Sequence, residues 1–124
     1  MITLGVDWGE KKIGLAISET SFAEPFGVVG SFDELKEIIE KEGGGKVVLG
    51  LPEGKHQEKV RGLGGRIEKE LNVPVTFRSE ILTTRQALEK AIEAGKPRKS
   101  RRDLNALSAT LILQEYLDES DSFF

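Results

Sequence analysis

A five-stranded mixed sheet flanked by helices is the architecture this sequence predicts, and three observations predict it. Short strand-like runs come first, in hairpin order; apolar runs then alternate with segments of helical periodicity; and the last third carries a long apolar-rich helical stretch. Strands joined by a tight turn pair antiparallel, whereas a strand reached through a helix pairs parallel, so a sheet holding both kinds is mixed.

Taken in order, Ile2 to Val6 and Ile13 to Ser18 read as strands joined by Trp8-Gly-Glu-Lys-Lys12, a hairpin signature. Phe26 to Val29 reads as a third, short strand. Ser31, followed three residues later by Glu34, is a capping box that opens a helix with Leu35, Ile38 and Ile39 on its inward face. The glycines at 43, 44 and 45 stop it, and Val47 to Leu49 is a compact apolar run suited to a strand buried on both faces. After a loop at Pro52-Glu-Gly54, Val60, Leu63, Ile67 and Leu71 recur at helical spacing over Gln57 to Leu71. Glycines at 62, 64 and 65 each cost that helix about 1 kcal/mol against alanine, and close packing against a neighbour is the reason that would keep them. Val73 to Phe77 predicts a fifth strand, Thr83 with Gln86 a second capping box, and Thr84 to Ala94 a helix. A final helix runs from Leu104 to Leu117, with Leu104, Leu107 and Leu111 on one face; Ile112 and Leu113 fall outside that face, which predicts burial on more than one side.

With 124 residues, 38% hydrophobic and 31% charged, the chain is expected to form a single domain over residues 1–124 with a sizeable core. The absence of cysteine excludes disulfides, thiolate chemistry and cysteine-based zinc sites, so a metal would be held by oxygens or by His56. The longest uncharged apolar-rich run, Leu104 to Gln114, is too short to span a bilayer, and the N-terminus lacks the basic and apolar regions of a signal peptide, which predicts a cytoplasmic protein without membrane contact. Net charge is −3, yet Lys96, Arg98, Lys99, Arg101 and Arg102 place five cations among seven residues in a stretch whose proline and serine favour a loop. That stretch is either a solvated connector or a phosphate-binding loop.

Asp7 interrupts the apolar run Gly5-Val-Asp-Trp-Gly9 where the first strand ends. In open sheets ligands gather at the carboxyl ends of strands near a switch in strand order, and a carboxylate there is solvated enough to bind something. The plain alternative is an aspartate that begins a turn by accepting from the amides of Gly9 or Glu10. Glu80 lies where another central strand ends, so the two carboxylates are expected at one edge of the sheet. If their strands are adjacent they repel unless a divalent cation sits between them, and hard oxygen ligands suit magnesium or manganese.

Four segments, Gly5-Val-Asp-Trp-Gly with Lys11-Lys-Ile-Gly-Leu-Ala16, Val48-Leu-Gly-Leu-Pro52, Glu80-Ile-Leu-Thr-Thr84, and Ala106 through Ile112-Leu-Gln-Glu-Tyr-Leu117, occur in the order of the YqgF family. The chain resembles that family, known for pre-16S rRNA nuclease and Holliday junction resolvase-like proteins, over nearly its whole length. The resemblance implies a ribonuclease H-like fold and a magnesium site of three acidic residues. It carries the first aspartate onto Asp7 and the motif glutamate onto Glu80. The third acid falls on Asn105, with Asp103 two residues earlier; aligning Asp103 instead would rotate the last helix by about 200°. Asn105 would ligate through a neutral oxygen, which weakens metal binding, while Asp103 either supplies the missing carboxylate or caps the helix. Ser79 and Ile81 replace the aspartate and arginine usual beside the motif glutamate, and the loop after Pro52 is shorter than usual.

Other residues carry two readings each. His56, in a polar stretch, is expected at the surface rather than as a catalytic base. Trp8 either packs beside the hairpin turn or stacks on a nucleobase. Lys11 and Lys12 either line a phosphate path or are solvated. Thr83 and Thr84 match the family motif, though capping alone accounts for them. The expected function is a metal-dependent nuclease acting on structured RNA, in 5′-end processing of pre-16S rRNA. The alternatives are a Holliday junction resolvase-like DNA endonuclease and a non-catalytic RNA-binding assembly factor, with a nucleotide-binding relative of actin-like ATPases ranked last. The expected assembly is a monomer or weak homodimer.

Overall fold

The computed structural model describes residues 1–52, 54–79 and 104–121. Strands β1 (Ile2–Trp8) and β2 (Ile13–Ser18) form the predicted hairpin, paired antiparallel from Thr3 opposite Ser18 to Trp8 opposite Ile13. Strand β3 (Glu24–Val29) adds to β2 antiparallel. Strands β4 (Gly44–Leu51) and β5 (Val75–Ser79) extend the other side of β1 in parallel, giving the order β3-β2-β1-β4-β5. β1 therefore sits at the point where the chain, having built one side of the sheet, crosses to build the other.

The crossover to β4 is helix α1 (Phe32–Glu42). Ser31 Oγ accepts from the Glu34 N–H at 3.2 Å, while the Glu34 carboxylate reaches back to the N–H of Gly30 at 2.6 Å, one residue before the position a capping box uses. Gly43, at φ 67°, ends the helix in the left-handed conformation, and its N–H donates to the Glu40 carbonyl at 3.3 Å. Helix α2 (Gln57–Leu71) leads from β4 to β5 and ends on Asn72, also left-handed. Both helices cover one face of the sheet, where Leu35 and Ile39 of α1 and Val60 and Ile67 of α2 join Leu4, Val6, Val47 and Leu49 in the main core. Helix α3 (Leu104–Asp121) covers the opposite face.

Four expectations are corrected. β4 starts at Gly44 rather than Val47, and β3 at Glu24 rather than Phe26. β5 lies two residues later than Val73–Phe77, because the Pro74 carbonyl only leads into the ladder, accepting from the Val47 N–H at 3.0 Å. The inner face of α3 carries Ala106, Ala109, Ile112 and Leu113, with Leu107 and Leu111 half-buried. Close approach explains this choice of face. A Cβ added at Gly5 would stand 2.7 Å from the Leu113 Cβ and 2.8 Å from the Ala109 carbonyl, so small residues on both sides let the helix lie almost on the sheet. Of the three α2 glycines, Gly64 meets the packing expectation, its missing Cβ being replaced by the Phe77 ring 2.5 Å away; Gly62 and Gly65 have nothing within 4 Å. The predicted helix over Thr84 to Ala94 lies outside the described residues.

Candidate functional site

Alternation along β1 sends Leu4 and Val6 into the core under α1 and α2, so Gly5 and Asp7 face α3. Asp7 pairs with Gly14 inside the ladder, one residue before the strand ends, and the turn begins only after Trp8. It is therefore a strand residue at the carboxyl end of β1, half-buried, and not the first residue of the turn. A Cβ at Gly14 would collide with the carbonyl of Asn105, so the first turn of α3 rests on the residue directly opposite Asp7. Two sequence candidates ninety-eight positions apart, 105 less 7, thus meet on one face at one end of the sheet. The glycines at 5 and 14, together with Ala16 beside them, make that meeting sterically feasible.

The parallel register extends the row. Val6 pairs with Leu49, so Asp7 lies level with Gly50, and Gly50 pairs with Arg78. Val48 lies in the core under α3, which turns Gly50 and Arg78 toward that face as well. No side chain of β4 separates Asp7 from Arg78 along the row. The Arg78 guanidinium pairs with Glu119 near the far end of α3. Neither Arg78 nor Gly50 was singled out from sequence, although strand alternation through Thr76 and Arg78 carries the signal.

On the other face of the same edge, Trp8 packs against the main core and its ring centroid lies 5.6 Å from that of His56. His56 is half-buried, which corrects the surface expectation: the short loop after β4 folds it against the hairpin, with Nε2 3.6 Å from a Glu10 carboxylate oxygen. Its Nδ1 is buried and has no hydrogen-bond partner among the described residues. Lys11 and Lys12 stand exposed in the hairpin turn. Glu80, Asp103, Thr83, Thr84 and the basic residues Lys96, Arg98, Lys99, Arg101 and Arg102 lie outside the described residues. Among the described residues no three of His, Cys, Asp and Glu gather as metal ligands, so the described part of the candidate site is Asp7 with the start of α3 at Asn105. Its oxygen donors, one anionic and one neutral, are hard and suit a small divalent cation better than a soft one.

Residues 1–119 match the family described as RuvX: Holliday junction resolvase. The chain belongs to the RuvX family. RuvX is the YqgF family of the sequence resemblance. Relatives in it include a Dictyoglomus thermophilum protein named "Putative pre-16S rRNA nuclease", 36% identical over 97% of each chain, and a Caldanaerobacter subterraneus protein of the same name, 39% identical over 95% of this chain and 96% of that one. Among solved structures, RuvC of T. thermophilus in complex with a Holliday junction substrate has a TM-score of 0.60 at 16% identity, covering 94% of both chains. The fowlpox virus resolvase in complex with Holliday junction DNA has a TM-score of 0.61 at 15% identity, covering 96% of this chain and 98% of that one. At such identities the likeness establishes the fold, which is ribonuclease H-like as the RuvX resemblance implies. Membership of RuvX makes this a protein of a nuclease family. Among the described residues no helix is long and apolar enough to cross a membrane.

Proposed function

We propose that this chain, acting as a single domain over residues 1–124, is a metal-dependent nuclease that hydrolyses phosphodiester bonds in structured RNA, in 5′-end processing of precursor 16S rRNA. The observation that carries the reading is the juxtaposition of Asp7 with the first turn of α3 across Gly14, in a chain whose family is a nuclease family. The names borne by the relatives point to precursor rRNA as the substrate. Asp7 and Glu80 are the proposed anionic ligands, with Asn105 or Asp103 as the third. The cation they would hold is magnesium or manganese, which when bound supplies an activated water and charge stabilisation for the leaving oxygen. The chain's own part is to fix the donors on a rigid strand end and helix start, and to hold the phosphate backbone with Lys11, Lys12 and the cations from Lys96 to Arg102. The proposed setting is the cytoplasm and the proposed assembly a monomer or weak homodimer.

The second reading is resolution of branched DNA, favoured by the description of the family and by the junction-bound neighbours of the same fold. One experiment separates the two readings. A labelled precursor-rRNA 5′ fragment and a four-way DNA junction are offered with magnesium or manganese to wild type, Asp7→Asn and Asn105→Asp. The expected result is cleavage of the RNA in preference to the junction, and a loss of at least about 100-fold in Asp7→Asn, since loss of outer-shell partners alone costs 10–100-fold. Preference for the junction would make the DNA reading the correct one. Binding of RNA with no cleavage of either substrate would leave a non-catalytic assembly factor.

A further inference from the structure

We propose that Arg78 is a phosphate-binding residue of this site, kept away from it by Glu119 until nucleic acid arrives. The inference rests on the nuclease reading above and adds to it a cation, a contact and an order of events.

Position is the first ground. Arg78 stands on the same face of the sheet as Asp7, at the same level, two strands away, with glycine between them in the row. Two inter-strand spacings put their backbones about 10 Å apart. A guanidinium reaches about 6–7 Å from its own Cα, estimated from the bond lengths of an extended side chain. It can therefore meet a phosphate lying beside Asp7 without any movement of the strand. The fork of an arginine matches two phosphate oxygens at once, which suits it to fixing a backbone next to a carboxylate site.

The present partner of that guanidinium is the second ground. Glu119 lies fourteen residues along α3 from Asn105, about 21 Å down the helix axis from the Asp7 end. The pair therefore engages the Arg78 head with the far part of α3. Its side chains are 24% and 53% exposed, so solvent screens it, and a phosphate, with more charge and a bidentate fit, competes well for the arginine. An ion pair that served stability alone would have little to offer at such exposure.

The two roles separate by size and by the response of the charge-conserving variant. Both Arg78→Gln and Glu119→Gln break the ion pair, and because they shift net charge by one in opposite directions, a merely structural pair predicts only small, opposite changes in binding and none in Arg78→Lys, which keeps the charge. A phosphate-binding Arg78 predicts a contact-sized loss in Arg78→Gln and a measurable loss in Arg78→Lys as well. Fluorescence anisotropy with the labelled precursor-rRNA 5′ fragment, over a salt series, reads both. Arg78→Gln should weaken binding about tenfold and reduce the slope of log affinity against log salt by about one, whereas Glu119→Gln should tighten binding several-fold with the slope kept or raised. Arg78→Lys should retain the slope while losing part of the affinity, because it keeps the charge and loses the fork. Thermal unfolding of each variant confirms that the binding assay reads folded protein. Full affinity in Arg78→Lys, or a change in Arg78→Gln no larger than the opposite change in Glu119→Gln, overturns the role given to Arg78 and leaves the nuclease reading standing. Failure of wild type to bind the RNA overturns that reading, and the role of Arg78 on this substrate with it.

Discussion

Asp7 is held in place by its neighbours' lack of bulk. Gly14 opposite it and Gly5 before it let α3 descend until the Asn105 carbonyl occupies the space a Cβ would need. Because the obstacle at Gly14 is backbone, which cannot turn aside, Gly14→Ala should destabilise the fold by about 2–3 kcal/mol, measured as a lowered denaturant midpoint with an unchanged slope. Asn105 sets the charge of the pair. Asn105→Asp would bring a second carboxylate to Asp7, so the metal-free variant should melt below wild type and gain more from added magnesium than wild type does. A scan with and without the cation checks both parts, and an equal response in the two proteins would remove Asn105 from the ligand set. Asp7 was legible in the sequence as a lone acid at a strand end. That the acid pairs with Gly14 rather than beginning the turn was not, because a turn aspartate and a site aspartate share the same local pattern.

Among the elements, α2 and α3 show two uses of small residues. In α2, Gly64 faces β5 and makes room for Phe77, whereas Gly62 and Gly65 face open space. Gly64→Ala should therefore cost stability, by about 1–2 kcal/mol given the partial freedom of a ring edge to shift. Gly62→Ala and Gly65→Ala should each add about 0.5–1 kcal/mol through helix propensity, and chemical denaturation of the three single variants would order them. In α3 the small residues mark the inner face itself. Counting large apolar side chains selected Leu107 and Leu111, but a helix laid close on glycine and alanine buries its alanines first, and the leucines remain half-buried at the flanks. The outer edge of the sheet is managed differently. β3 carries Pro25 and an irregularity in its pairing between Leu15 and Ala16, and both discourage another strand from adding there, although Phe26 and Val28 remain partly exposed.

Across the whole molecule, charge of one sign is concentrated while the total is not. Net charge is −3, yet five cations fall within residues 96–102 and two more within the hairpin turn at the Asp7 end. Attraction of a polyanion depends on that local density, so reversing three of the charges between Lys96 and Arg102 should flatten the salt dependence of RNA binding by about two to three in logarithmic slope. Unchanged binding would reduce that stretch to a solvated segment without a binding role. Among the described residues, two helices lie over the main core and one over the glycine-lined face, and this plan leaves the carboxyl ends of β1, β4 and β5 along one edge, where sheets of this kind bind ligands.

By itself the sequence determined the hairpin, the Ser31 cap of α1 and its glycine stop, the span of α2 and the family, and it singled out Asp7, because each of these is written in residues close together or in motifs kept in order. Only the tertiary structure decided that Asn105 meets Asp7 through Gly14, that Arg78 stands in the same row behind Gly50, that Glu119 holds it, and that His56 packs on Trp8. These are contacts between strands and helices far apart in the chain. Their partners are chosen by sheet register and by how closely a helix can approach, and neither quantity has a local signature.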